Sequence, residues 1–394
     1  MILAQDGSKR SDKIRFGLMN NLIDGAIFCP CHEKPSKFKN EVLDYIKDFP
    51  NKFFIMDPHF HVSMMQANNI GGLLEYPFFK NNLVKEDFTI RNIQKYVKDV
   101  LKFQIDIGFN YIVSPSTVID SFKSPWAYFS LQLYIESAEY IKSQKTSNKL
   151  LICLPIYDFA LSEEEYLNEY LDNLTGLDVS GFYIIIIKPT SIHPNWNNTQ
   201  LLSKLLYIIY QLSENDYEIY FGYTDIIGII FEVFGANGFA NGWWWKLRQF
   251  EQDRFIEKKG YGRRKPTYTS ENLLNSITIV PELRSIAEIG KIDDVLSGTS
   301  FDEILRASHL RDWSNDWTQK NEIFNHWKVL SNISKKIEAL KNIKDKMTTL
   351  ENMINHAIAL YKNLRKSGIS FKGKSNPTHL QVWIESINRL KQII

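Results

Sequence analysis

Short, unbroken apolar runs recur along the chain, and most are followed by hydrophobic residues at helical spacing. The runs occupy residues 25–29, 53–56, 111–113, 150–154, 181–187, 218–221, 235–242 and 276–280. Apolar positions that continue rather than alternate mean burial on both faces, as parallel sheets require. Between the runs, Phe38, Val42, Leu43 and Ile46 share one face of a helix over 37–49. A second helix, 92–108, closes on Gly108. Further helices are expected over 125–143, from 162–165 onward, and over 199–214. At the second of these sites Ser162, with Glu165 three residues later, makes a capping pair. The tightest unit is 217–248: a strand, a buried helix over 225–234, and a second strand reached through Gly235 that opens into Trp243, Trp244 and Trp245. That is the shortest parallel crossover a strand–helix–strand unit allows.

Eight such strands predict an α/β fold of the (β/α)8 type, since eight is the number at which a closed sheet is filled by its own side chains. An open doubly wound sheet would carry a glycine-rich fingerprint after its first strand, and none occurs. The excursion 62–89, with Gly71, Gly72 and Pro77, is long enough to cover a site or a surface. From residue 316 the character changes, with Phe324, Trp327, Leu330, Ile333, Ile337, Leu340 and Ile343 at helical spacing among lysines. The expected organisation is a barrel over 1–315 and a helical C-terminal region over 316–394. That region would pack on the barrel, pair with a second copy, or dock the chain as a subunit of a larger complex.

Composition changes this picture little. Of 394 residues, 44% are hydrophobic and 23% charged, with net charge +2, so attraction for polyanions would have to come from a local patch. No apolar run approaches the roughly 20 residues of a membrane helix, so no membrane partner is expected. The N-terminus lacks the basic and apolar succession of a secretory signal. Three cysteines, Cys29, Cys31 and Cys153, cannot make a fully paired framework, which points to a reducing compartment, by default the cytoplasm.

In barrels of this type the reacting groups project from the C-terminal ends of the strands. Those ends carry Cys31, His32 and Glu33; Asp57, His59 and His61; Ser114, Ser116 and Thr117; Tyr157 and Asp158; Lys188; Tyr223 and Asp225; Asn241; and Glu282. Asp57, Lys188, Asp225 and Glu282 are the candidate catalytic groups. His59, Ser114, Tyr223 and Asn241 are the candidate substrate contacts. After the seventh strand Arg248, Arg254, Arg263, Arg264 and Lys265 crowd among Trp243–Trp245, Tyr261 and Tyr268, a mixture that suits phosphate and stacked bases. Gly260 and Gly262 would let that loop close. The same stretch also fits a solvated loop, because Glu251, Asp253 and Glu257 offset part of its charge.

The Asp57-Pro-His59-Phe-His61 motif resembles the metal-binding start of the amidohydrolase superfamily, which implies a metal-dependent hydrolase using His59 and His61. That family's later histidines and final aspartate have no counterpart here. Cys29-Pro-Cys31-His32 lacks a second pair at metal-ligand spacing, and Cys29 reads as a core residue. No metal and no other cofactor is expected. Met56-Asp57 and the stretch 221–239 resemble the tRNA-guanine transglycosylases, barrels in which an early aspartate binds the base and a later one is the nucleophile. Ala240-Asn241 stands where that nucleophile would be, and the family's four-ligand zinc set is missing; asparagine is no nucleophile. The leading expectation is an enzyme, transferase or hydrolase, acting on a nucleobase, nucleotide or nucleic acid at the strand ends.

Overall fold

The chain enters its sheet earlier than the apolar pattern suggests. In the computed structural model, which describes residues 1–8, 10–188, 196, 198–256 and 265–393, strand β1 (Ile2–Gln5) pairs in parallel with β2 (Gly25–Phe28) on one side and β8 (Gly238–Asn241) on the other. β3 (Phe53–Met56), β4 (Tyr111–Val113), β5 (Lys149–Tyr157), β6 (Gly181–Lys188) and β7 (Glu218–Gly222) complete the set. Their spatial order is β3-β2-β1-β8-β7-β6-β5-β4, every pair parallel. β3 and β4 lie side by side, although among the described residues no ladder bonds join them. The result is a nearly closed, eight-stranded parallel barrel.

Two residues, β9 (Phe250–Glu251), pair with the end of β6 and extend it over the barrel mouth. The run 276–280 is not a barrel strand. β11 (Asn275–Thr278) pairs antiparallel with β10 (Thr267–Ser270) in a separate hairpin. The physical reason is visible in the residues: Ser276 and Thr278 alternate with Ile277 and Ile279, so the run lacks the continuous apolar character of a parallel barrel strand. β1 goes unrecognised because its three apolar residues, Ile2 to Ala4, stand at the start of the chain and run directly into Gln5 and Asp6.

Helices α1 (Lys13–Met19), α2 (Pro35–Asp48), α3 (Ile90–Ile107), α4 (Pro125–Gln144), α5 (Glu164–Thr175), α6 (Thr199–Glu214) and α7 (Gly228–Val233) alternate with the strands. Their ends are set locally: Thr89 and Ser124 accept the backbone N–H groups of Asn92 and Ala127, and Pro35 opens α2. Four short helices follow, α8 (Asp253–Ile256), α9 (Arg284–Glu288), α10 (Asp302–Ala307) and α11 (Trp313–Asp316), then α12 (Gln319–Glu338), α13 (Ile343–Lys366) and α14 (Thr378–Leu390).

α12 lies against β1, α1 and α7, the place of the helix that follows an eighth strand. Its Trp327 is fully buried and donates Nε1–H to the Asn241 carbonyl at 3.4 Å. Glu322 ties α12 to the hairpin by accepting from the Thr267 N–H and hydroxyl. α14 covers α6, with the Ser386 hydroxyl donating to the Thr199 carbonyl at 3.2 Å. No described helix is long and apolar enough to cross a membrane.

The position of β1 makes a direct prediction. Leu3 has no exposed surface, so Leu3→Ala should cost about 2–5 kcal/mol in urea-induced unfolding. A cost near zero would mean that the N-terminal residues fray instead of closing the sheet.

Candidate active site at the strand C-termini

At the end of β3 the chain places a carboxylate with no exposed surface and then turns sharply around it. Asp57 Oδ1 accepts the His59 N–H at 2.9 Å, and His59 takes a left-handed backbone conformation (φ 52°) that returns its ring over the same carboxylate. His59 Nε2 lies 3.1 Å from Asp57 Oδ2 and 2.8 Å from the Tyr223 hydroxyl. Tyr183, from the middle of β6, donates to Asp57 Oδ2 at 3.2 Å. Gly222 makes this reach feasible: a Cβ there would sit 2.3 Å from the Tyr183 hydroxyl oxygen.

Burial works against both charges of the pair. For Asp57 it pushes the pKa up, but the neighbouring imidazoles and hydrogen bonds outweigh it and hold the acid below its usual range. For His59 burial pushes the pKa down, but the Asp57 charge raises it above the ordinary histidine range. Each group thus shifts the other toward its charged form. Asp57 accepts from three groups, which leaves about one of a carboxylate's roughly four acceptor sites for anything else.

Two buried thiols adjoin the pair. A single helical turn, residues 30–32, curls Cys31 back beside Cys29, so that their sulfurs are 2.9 Å apart. Cys29 Sγ lies 3.6 Å from His59 Nδ1. The loop of the long excursion closes over them: Gly71 (φ 58°) approaches so near that a Cβ would lie 2.1 Å from the Cys31 carbonyl oxygen. Above, Phe250 of β9 meets the Tyr223 ring at 5.0 Å and the His61 ring at 5.3 Å, and Phe255 meets His59 at 5.4 Å. These rings exclude water from the group.

A second set of charges adjoins through Tyr223, which also has a left-handed backbone (φ 54°). Lys188, Trp196, Tyr223, Thr224, Arg248 and Gln249 line a small cavity of about 20 Å³. Burial pulls the Lys188 amine down to about 8, against the opposing charges of Asp158 and Asp225. Lys188 Nζ lies 5.1 Å from the centre of the Trp196 ring. Arg248 is buried and donates Nε–H to the Gly242 carbonyl at 2.9 Å. The Trp245 ring takes Arg248 at 5.4 Å and Lys374, from the C-terminal region, at 4.0 Å. His326 of α12 lies 3.5 Å from Asp225 Oδ1. Burial, then the Arg248 charge, hold His326 well below its usual pKa, so it faces Asp225 as a neutral ring.

Of the residues expected from the sequence, Asp57, His59 and Tyr223 meet directly, and Lys188, Asp225 and Arg248 form the adjoining set. Glu282 joins neither, because it follows a hairpin strand. Its carboxylate accepts from Thr278, the Lys372 N–H and the Ser375 hydroxyl, holding the C-terminal loop. Ser114 accepts the Cys153 N–H at 3.0 Å, bridging β4 and β5. Asn241 is fully buried at the end of β8, and neither amide atom has a hydrogen-bond partner among the described residues. His61 is buried beside His59, ring centres 5.5 Å apart. Lys265 is exposed at the foot of the hairpin. Arg263, Arg264, Gly260, Gly262, Glu257 and Tyr261 lie outside the described residues.

Sequence reasoning missed Tyr183, Gln5, Lys374 and the meeting of Cys29 with His59. Tyr183 looks like core within an apolar strand. Gln5 sits on the unassigned β1, where its Oε1 accepts the Tyr223 N–H at 3.2 Å. Cys29 and His59 end neighbouring strands, and that adjacency was the available signal.

Lys188 yields a pH prediction. Its folded pKa, about 8, lies below the ordinary 10.5, so between these values the unfolded chain binds more protons and this group's contribution to stability rises with pH. Lys188→Met should therefore be more stable than wild type below pH 8, and the gap should close as pH climbs toward 10.5. Urea unfolding of both proteins across that range checks it; a gap independent of pH would contradict it. Compared with protein-family models and with curated proteins, the sequence matches none.

Proposed function

We propose that the chain is an enzyme acting on a nucleobase, nucleotide or nucleic acid at the C-terminal rim of its barrel strands. The observation that supports this most is the position of Tyr223, with its hydroxyl on His59 and its ring side on the cavity of Lys188 and Arg248. One side chain thus spans an acid–base group and a cationic, tryptophan-walled group. A nucleotide needs both, an acceptor for base N–H groups and cations with aromatic faces for phosphate and base stacking.

In this reading Asp57 offers its remaining acceptor site to the base. Lys188 and Arg248 take the phosphate, and Asp225 orients that pair. Gln5, Gln249 and Asn241 add amide groups at the same rim. Gln5 Nε2, Gln249 Nε2 and both Asn241 amide atoms are buried without partners among the described residues. Leaving a buried polar atom unpaired costs about 1–3 kcal/mol, a cost that base edges could offset. Substrate reaches Asp57 once Phe250 and Phe255 turn aside.

Calorimetric titration with a panel of nucleobases, nucleosides and nucleoside 5′-monophosphates tests the reading. Wild type should bind at least one monophosphate more tightly than its nucleoside. Arg248→Gln should weaken the monophosphate roughly tenfold or more, the worth of one charge-assisted hydrogen bond, and leave the nucleoside nearly unchanged. Asp57→Asn should weaken both. Absence of binding across the panel, or equal weakening of nucleoside and monophosphate by Arg248→Gln, would overturn it.

A further inference from the structure

We propose that Cys29, Cys31 and His59 form a site for a soft divalent transition metal, zinc first among them, with Asp57 holding the histidine in place. The three side chains come from the ends of two neighbouring strands, and each is buried. One candidate ligand atom from each lies within 4.8 Å of the other two. Among the described residues this is the one such group of histidine, cysteine and carboxylate side chains. The inference stands apart from the nucleotide reading, since it concerns an ion and not a substrate.

The geometry suits a tetrahedral ion. Zinc binds sulfur at about 2.3 Å and imidazole nitrogen at about 2.0–2.1 Å, which spaces adjacent ligand atoms roughly 3.5–3.8 Å apart. Cys29 Sγ and His59 Nδ1 are already 3.6 Å apart. The two sulfurs, at 2.9 Å, lie closer than two non-bonded thiols ordinarily approach. They would open by under ~1 Å to take the ion, a small rotation about each Cα–Cβ bond.

The ring orientation adds an independent argument. Metal-bound histidines almost always direct their second nitrogen to a carboxylate or carbonyl, which fixes the tautomer. Here His59 Nε2 faces Asp57 Oδ2 at 3.1 Å, and Tyr183 holds that carboxylate from behind at 3.2 Å. Cys29 Sγ lies about equally far from both ring nitrogens, 3.6 Å from Nδ1 and 3.7 Å from Nε2, so with Nε2 held by Asp57 a small turn of the ring would aim Nδ1 at the ion. The ligand set, two thiolates and one imidazole, selects zinc or another soft ion over magnesium or calcium. Three protein ligands leave one position for water or substrate, the arrangement of a catalytic rather than a closed structural site.

The experiment is metal titration of the full chain, purified under reductant and stripped with chelator. Cobalt(II) reports the ligands directly, through thiolate-to-metal charge transfer in the near ultraviolet and tetrahedral d–d bands in the visible. One equivalent should bind with both signals, and zinc should displace it one for one. Cys29→Ser, Cys31→Ser and His59→Gln should each abolish or redshape the spectrum, Cys153→Ser should leave it intact, and Asp57→Asn should weaken zinc by about 10–100-fold. Wild-type protein that shows no thiolate charge transfer overturns the proposal without recourse to variants. So does a spectrum that Cys29→Ser and Cys31→Ser leave unchanged. If the nucleotide panel fails while cobalt binds, the metal site stands and the substrate reading alone falls.

Discussion

A charged carboxylate at the centre of a barrel mouth, with no surface open to water, is the constraint around which the upper half of this molecule is arranged. Burying an ion unpaired is prohibitively costly, and pairing it helps only when its lone pairs are also met. Asp57 is met by the Tyr183 hydroxyl, the His59 N–H and the His59 ring. Each of these demands something of the backbone. His59 adopts a left-handed conformation to double back, Tyr223 adopts another to reach His59, and position 222 gives up its side chain so that Tyr183 can pass. Left-handed backbone at a non-glycine residue typically costs about 1–3 kcal/mol. Two such residues around one carboxylate fit a site selected for geometry more than for stability.

The same constraint explains why the mouth is roofed. Asp57 and His59 attract each other in a buried setting, and admitting water would weaken that attraction, since the effective dielectric would rise. Phe250 and Phe255 supply the roof, and β9 holds Phe250 there by pairing with the end of β6. That pairing also sets Glu251 opposite Lys188. One two-residue strand therefore covers the acid–base group and edges the cationic one. A disturbance of β9 would be felt at both.

Much of this was legible in the sequence, and the failures have physical causes. Seven of the eight barrel strands follow from unbroken apolar runs, because parallel strands buried on both faces leave that trace. β1 was passed over because its three apolar residues open the chain and run at once into Gln5 and Asp6, and the hairpin strand at 275–278 imitated the missing eighth. That substitution carried Glu282 into the candidate site and kept Gln5 out of it. Asp57, His59, Lys188 and Tyr223 were found because polar residues after buried strands are conspicuous, and Arg248 because it belongs to the basic and aromatic cluster beyond the seventh predicted strand. Tyr183 was not, because its hydroxyl hides in an apolar strand and its partner is 126 residues away. Lys374 and His326 were missed for a related reason. Both belong to the region after residue 316, and nothing in its heptad-like spacing says which residues face the barrel.

The contacts of Asp57 also bear on what it can do. With three of its acceptor positions taken, it has little capacity left to move protons, and its pKa is displaced away from neutrality. A base poised for transfer near neutral pH would sit in the opposite situation, like Lys188, whose amine burial brings to about 8. Asp57 is thus better matched to orienting His59, and through it whatever His59 Nδ1 and Tyr223 touch. The chemistry, on this argument, belongs to the groups that Asp57 positions, and its own side chain is the fixed point from which their geometry is set.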